Sequence, residues 1–252
     1  MLIVMSQKRH LFKCSIFAIS FFLTALSGAQ EIGGCRILSH LTITQIIRSC
    51  KDVTKDKLKT DGEVAHAASQ VASLLKIGEL GTPEEIIGYY LLSAQKGNLS
   101  AFAAIGDIYR AGYKNLKPDY KKAKYYYFQD TSYSPAHFKG IAEMLLYGHG
   151  LEKSVDDAIQ RFRFAASLDD GDAKTRRKLC EIFSINNYQK RDIVKAHFWC
   201  SSAVEAESDR MLKGLYESAR LNIEMQLSES QLIESNNLQQ DCRKFGILGC
   251  KN

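Results

Sequence analysis

Apolar residues recur at helix spacing along most of the chain. From about residue 65 onward they also recur in the same order with a period of about 36 residues, which lies within the range of helical repeat arrays. Starting at Ala101, the order is Ile105, Gly106, Tyr109 and Gly112, then Lys122-Ala123 and Tyr126-Tyr127. Starting at His137 it is Ile141, Ala142, Leu145 and Gly148, then Asp157-Ala158 and Phe162. Starting at Thr175 it is Leu179, Cys180 and Phe183, then Lys195-Ala196 and Trp199-Cys200. A shorter copy begins at Ala67 with Val71, Ala72, Leu75 and Gly78, followed by Tyr89-Tyr90, Ser93-Ala94 and Gly97. Each unit predicts two helices joined by a loop. The first helix ends at a glycine in three units and at Asn186 in the fourth, the residue types suited to a left-handed C-cap. Pro83 and Pro118 stand ahead of second helices and Pro135 ahead of a first helix, so no proline falls in a helix interior.

Gly106 is the anomaly in this pattern, because an interior helical glycine costs about 1 kcal/mol relative to alanine. Its column across the units holds Ala72, Gly106, Ala142 and Cys180, all small. The preceding column holds Val71, Ile105, Ile141 and Leu179, all large. A small residue beside a large one in every unit predicts a point where one helix approaches another closely.

Outside the array, Leu41, Ile43, Ile46, Ile47 and Cys50 predict an amphipathic helix before it. A long helix over about 208–224 follows the array, and Ser228-Glu229-Ser230-Gln231 opens a last helix as a capping box. Such flanking helices are expected, since an uncapped array exposes an apolar end. The chain starts with the basic residues Lys8, Arg9 and Lys13, an apolar run from Ser15 to Leu26, and then Ser27-Gly28-Ala29. This is the pattern of a signal peptide cut after Ala29, leaving Gln30 as the mature N-terminus. The run is too short for a comfortable membrane span.

With 252 residues, 45% of them hydrophobic, the chain can bury a substantial core in one or two domains. The leader supplies three of the formal +6 charges, so the mature chain carries +3 and gives no case for nucleic-acid binding. Of the seven cysteines, Cys14 falls in the leader, and six remain in an exported chain, enough for three disulfides. No C-x-x-C spacing is present, which argues against a zinc site.

The run A-x-x-x-I-G-x-x-Y-x-x-G from Ala101 to Gly112 resembles the Sel1-like repeat family, relatives of the tetratricopeptide repeats. Tyr147-Gly148-His149-Gly150-Leu151, Ala165-Ala166, Asp192, Lys195-Ala196 and Trp199 carry the same resemblance, which covers roughly residues 65 to 208. The first unit has a shortened loop, the second has Asp130-Thr131 where the family has an Ala-Ala pair, and the fourth lacks loop glycines between Ile185 and Gln189. The resemblance implies an all-α, right-handed superhelical solenoid of helix-turn-helix repeats with helical caps. The expected division is a signal peptide over 1–29, an N-terminal helical cap over 30–64, four repeats at about 67–100, 101–136, 137–173 and 174–208, and a C-terminal cap over 209–252. In the helical hairpin of the fourth unit the registers of Cys180 and Cys200 face each other, which predicts a Cys180–Cys200 disulfide. Cys35–Cys50 and Cys242–Cys250 would then staple the two caps.

Catalytic signatures are scarce. There is no H-E-x-x-H, G-x-S-x-G, phosphate-binding loop or nucleotide fingerprint, and the scattered histidines are expected at the surface or in loops. Ser73-Leu74-Leu75-Lys76 and Ser93-Ala94-Gln95-Lys96 both match S-x-x-K, in which a lysine one helical turn away takes the proton of a serine nucleophile; the companion S-D-N and K-T-G motifs are missing. Because cysteine-rich members of the resembled family are associated with β-lactam binding and hydrolysis, a β-lactam-active enzyme is the alternative function.

Alignment with tetratricopeptide repeats places two before the large-apolar column, and two, five and six after it, on the concave face. These positions hold Ala103, Lys139 and Arg177; Asp107, Glu143 and Glu181; and Arg110-Ala111, Leu146-Tyr147 and Ser184-Ile185. The expected partner-binding surface is therefore the acidic ladder Asp107, Glu143 and Glu181 with Lys139, Arg177, Arg110, Leu146 and Tyr147. The competing reading is a solvated face stabilised by Lys139–Glu143 and Arg177–Glu181 pairs at i, i+4. A second candidate is Tyr120 to Phe128, basic residues interleaved with aromatics, in which helical spacing assigns Ala123, Tyr126 and Tyr127 to packing and leaves Lys121, Lys124 and Tyr125 outside. The expectation as a whole is a periplasmic or secreted, monomeric, non-catalytic scaffold. It would bind a partner protein, or a peptide or glycan of the envelope, without cofactor, metal, nucleic acid or membrane span.

Overall fold

The computed structural model describes residues 30–32, 35–37, 41–169, 172–185 and 189–249; the expected leader, Asn186 and Cys250 lie outside the described residues. A short antiparallel hairpin comes first, β1 (Gln30–Ile32) paired with β2 (Cys35–Ile37) so that Ile32 lies opposite Cys35. Eleven α-helices follow among the described residues: α1 (Ile43–Lys55), α2 (Asp61–Ile77), α3 (Pro83–Gln95), α4 (Ala101–Ala111), α5 (Tyr120–Gln129), α6 (Pro135–Tyr147), α7 (Val155–Leu168), α8 (Ala173–Ser184), α9 (Ile193–Ala206), α10 (Arg210–Glu224) and α11 (Glu229–Phe245).

Local chemistry fixes where these helices start. Every one except α4 is opened by a Thr, Ser or Asp whose side chain accepts a hydrogen bond from a backbone N–H of the first turn, satisfying an otherwise orphaned donor. Pro83 and Pro135 take the first helical turn of α3 and α6. Gly112 and Gly148 end α4 and α6 at φ of +76° and +73°. Gly78 does not adopt the expected left-handed cap: its φ is −78°, and the positive φ passes to Glu79 at 54°.

Within the array α2 packs on α3, α4 on α5, α6 on α7 and α8 on α9, so each unit is a helical pair, while α3·α4, α4·α6, α5·α6 and α7·α8 contacts join successive units. This is a helix-turn-helix repeat solenoid. The large column Val71, Ile105, Ile141 and Leu179 is at most 2% exposed, and Ala72, Ala142 and Cys180 beside it are wholly buried. Gly106 has the role its column predicts, with a specific partner. The fully buried ring of Tyr127 lies against it, and a Cβ on Gly106 would stand 2.7 Å from that ring. The same ring presses on Gly140 of α6, where a Cβ would overlap it.

Cys35–Cys50 ties the hairpin to α1 with Cα atoms 4.7 Å apart, and Cys180–Cys200 ties α8 to α9 with Cα atoms 5.0 Å apart. Cys242 is also disulfide-bonded. The last two helices depart from the pairing rule: α10 and α11 each pack on α9 and barely meet one another. Among the described residues no helix is long and apolar enough to cross a membrane.

Candidate functional site

The ladder carboxylates Asp107, Glu143 and Glu181 on the first helices are half-exposed, and Arg110 links the first two. At the centre is Tyr127 of α5, brought under α4 by the missing side chain at Gly106. Its hydroxyl donates to Asp107 Oδ1 at 2.7 Å and accepts from Arg110 Nε at 3.0 Å. Arg110 Nη2 donates to Asp107 Oδ1 at 3.2 Å, and Nη1 donates to Glu143 Oε2 on α6. The planar guanidinium thus bridges three oxygens in two repeats, a geometry suited to arginine rather than lysine. Burial, reinforced by Asp107, pushes the Tyr127 phenol above its usual range, so it stays protonated and donates. Burial opposes the charge on Arg110 but is outweighed by Tyr127, Glu143 and Asp107, which hold its pKa above the ordinary value.

The remaining ladder residues have bases of their own. Glu181 accepts from Lys178 Nζ at 2.9 Å, and the same ammonium reaches Tyr147 Oη on the preceding first helix at 3.4 Å. Lys139 does not pair with Glu143; it crosses to Asp172, the N-cap of α8, at 2.9 Å. Burial works against the Asp172 carboxylate, but Lys139 and Thr175 outweigh it and hold its pKa below the ordinary value. Arg177 does not pair with Glu181; its Nη1 lies 3.6 Å from Cys180 Sγ. Each of Asp107, Glu143 and Glu181 therefore contacts a cation, Asp107 and Glu143 sharing Arg110, so the row is largely charge-compensated. Leu146 is a correction to the expected surface. It is completely buried with Ala158, Phe162 and Leu179, filling the space between α6 and the following helices, and no partner can touch it there. Its neighbour Tyr147 is 43% exposed and does face outward.

In the aromatic segment Ala123 and Tyr127 are buried and Tyr126 is half-buried, stacked on Tyr109 with ring centroids 5.5 Å apart. Lys121, Lys124, Tyr125 and Phe128 are exposed.

Two histidines are buried, contrary to the surface positions expected. His137 Nδ1 lies 2.7 Å from the Tyr127 carbonyl oxygen. His197 Nδ1 lies 2.9 Å from Ser235 Oγ on α11, and its Nε2 lies 3.5 Å from Glu224 Oε2 on α10. Ser–His–Glu is the order of a hydrolase triad, but Ser235 is fully buried and Glu224 is held by Arg220, so the arrangement joins three helices instead of facing a substrate. The signal for burial was the position of His197 between Ala196 and Phe198-Trp199, inside a packing stretch. The S-x-x-K matches do not assemble either. Ser73 Oγ pairs with Tyr90 Oη at 3.0 Å. Ser93 Oγ donates to the Ala65 carbonyl at 2.7 Å, while Lys96 pairs with Asp61 at 2.7 Å. Among the described residues neither serine is hydrogen-bonded to its lysine. A cavity of about 290 Å3 lies between Phe198, Ser202, Gln239 and Ile247, away from the ladder row. Among the described residues no group of side chains could hold a metal ion.

No protein-family profile matches the chain, and no curated protein matches it in sequence. Solved structures do match. A Sel1 repeat protein from Oxalobacter formigenes aligns with a TM-score of 0.50 at 19% identity, covering 79% of each chain. A protective antigen of uropathogenic Escherichia coli with an SLR fold aligns with a TM-score of 0.41 at 18% identity, over 82% of this chain and 50% of that one. An immunity protein from Pseudomonas aeruginosa aligns with a TM-score of 0.38 at 18% identity, over 70% of this chain and 80% of that one. The fold is an all-α helix-turn-helix repeat solenoid, similar to that of the Sel1 repeat protein from Oxalobacter formigenes.

Proposed function

We propose that the chain is an exported, non-catalytic scaffold that binds a partner protein or envelope component along the first-helix face of its repeats. The observation that carries this reading is the continuous row Asp107, Arg110, Glu143, Tyr147, Lys178 and Glu181. Its side chains run across three first helices, remain partly exposed, and are held in place by bonds within and between repeats. Such a row offers donors and acceptors already fixed in position, which lowers the ordering cost of binding. Because its charges are largely compensated, the partner it suits is one of mixed polarity rather than a strongly basic one. Repeat solenoids commonly present extended binding surfaces of this kind. Export rests on the leader over 1–29, cut after Ala29. The disulfides Cys35–Cys50 and Cys180–Cys200 support an oxidising destination, periplasmic or extracellular.

The test is a cross-linking pull-down with protein matured in an oxidising compartment, comparing wild type with a Tyr147→Ser/Arg177→Glu variant. Both positions are accessible, and neither belongs to the Tyr127 cluster. The expected result is a partner captured by wild type and lost from a variant with unchanged circular dichroism. A partner retained by the variant would move the site off this face. Capture by neither protein would remove the scaffold reading.

A further inference from the structure

Helix α10 carries two apolar faces. One, with Tyr216 and Ile223 buried and Leu212 and Ala219 half-buried beside them, packs toward α9. On the opposite side Met211 is 79% exposed, Leu215 63%, Leu221 45% and Met225 78%. A helix that is apolar on both sides is normally covered on both. In the preceding units the second helix covers the first, but α11 has moved onto α9 and leaves this stripe open.

The stripe is a palindrome. Counting outward from Ser218, Leu215 and Leu221 lie three residues to either side, and Met211 and Met225 lie seven to either side. At 100° per residue these five positions, with Gly214 and Asn222, fall on one face centred on Ser218. Ser218 Oγ is already satisfied by the Gly214 carbonyl at 2.9 Å, so covering the centre strands no hydroxyl. The charged residues Glu217, Arg220 and Glu224 pair with each other on the flank.

We propose that this face docks a second copy of the chain, α10 against α10, antiparallel about a two-fold axis at Ser218. An isologous interface requires a patch that is its own complement, and the palindrome supplies one. Met211 of each copy meets Met225 of the other, Leu215 meets Leu221, and Gly214 and Ser218 allow the backbones to approach at the crossing. No charged side chain of the stripe meets its like. The 15-residue helix is about 22 Å long, and a strip of that length covers roughly 200–300 Å2 per copy, against about 800 Å2 for a standard interface. The dimer is accordingly a weak, reversible one, and it replaces the monomer expected from the sequence. It does not depend on the ladder row or its partner.

Sedimentation velocity of the exported, disulfide-bonded protein over a wide concentration range tests this. Wild type is expected to shift from monomer to dimer as concentration rises. Ser218→Arg places two like charges at the two-fold axis and is expected to raise the dissociation constant by at least about tenfold. Leu215→Glu and Leu221→Lys are each expected to weaken the dimer by about tenfold. The Leu215→Glu/Leu221→Lys double variant should recover most of the affinity, since each acid then faces a base of the other copy. All these positions are solvent-facing, and unchanged circular dichroism and melting confirm folding. Wild type that stays monomeric throughout overturns the proposal and leaves the face to another protein. A dimer indifferent to Ser218→Arg, or a double variant no better than the singles, places the interface elsewhere and overturns it too.

Discussion

Arg110 on α4 and Glu143 on α6, 33 residues apart, form an ion pair that spans one repeat to the next. The device recurs at nearly the same separation in Lys190 with Asp156, 34 residues apart. Lys139 with Asp172 and Lys178 with Tyr147 repeat it on the ladder row. Units of a solenoid touch only their neighbours, so bonds of one repeat length are what set the angle between them.

Removing the Arg110 guanidinium should therefore loosen more than one contact. Arg110→Met leaves the Asp107 and Glu143 carboxylates without their shared cation and takes a donor from Tyr127. Losing charge-assisted hydrogen bonds of this kind costs about 1.5–3 kcal/mol. The expected readout is a lower denaturant midpoint with an unchanged slope. Arg110→Lys should recover only part, because an ammonium cannot address the three oxygens in one plane. A double-mutant cycle with Glu143→Gln checks that the two residues are coupled; additive effects would mean that they are not.

Gly140→Ala gives an opposite sign to the general rule. Glycine to alanine inside a helix ordinarily stabilises by about 1 kcal/mol. Here the new Cβ would overlap the Tyr127 ring, and overpacking of this kind destabilises by about 1–3 kcal/mol. Gly106→Ala should destabilise in the same direction. Adding Tyr127→Leu to Gly140→Ala makes room, so the double variant should be less damaged than the sum of the two single changes. Stabilisation by Gly140→Ala alone would show that the ring does not sit there.

Gly106 was legible in the sequence and Gly140 was not, and the difference is physical. The column of Gly106 is small in every unit, since each unit repeats the same close approach. The column of Gly140 holds Gln70, Ala104 and Lys178 in the other units, because only one ring, that of Tyr127, fills this gap. Leu146 was misplaced for a related reason: its column holds Lys76, Arg110 and Ser184, so a surface assigned by repeat position missed the unit that turns an apolar residue inward. The i, i+4 pairs of the competing reading are absent for two reasons: Lys139 is drawn to Asp172 one repeat on, which local spacing does not encode, and Glu181 is taken by Lys178 at i, i+3 instead of Arg177. The hairpin of β1 and β2 escaped a reading tuned to helical periodicity, although Gly33-Gly34 between its strands is a turn signal.

The Cys180–Cys200 disulfide should hold the last repeat together. It closes a loop of 20 residues, for which the loss of chain entropy in the unfolded state amounts to roughly 3 kcal/mol. The Cys180→Ala/Cys200→Ala variant is expected to lower the unfolding midpoint accordingly. Trp199, the chain's one tryptophan and wholly buried beside Cys200, reports that transition by fluorescence. Cys35→Ala/Cys50→Ala releases only a short hairpin from α1, so the tryptophan transition should move far less.

His197 makes stability depend on pH in a defined direction. Burial lowers its pKa from the ordinary value, against the opposing pull of Glu224, with Arg220 lowering it further. The groups facing the ring are Ser235 from α11 and Glu224 and Arg220 from α10. A histidine depressed in the folded state binds its proton more readily once the chain unfolds, so the unfolded form holds more protons and stability rises with pH. The contribution is complete above the unfolded pKa of about 6.5 and is lost as pH falls below it. Melting midpoints are expected to drop as the pH is lowered from about 7.5 to about 5.5. His197→Gln, whose amide can still bond Ser235 but does not titrate, should flatten that slope while changing the midpoint at neutral pH far less. An equal slope in the variant would show that protons enter elsewhere and that the three-helix junction at His197 is not what acid loosens.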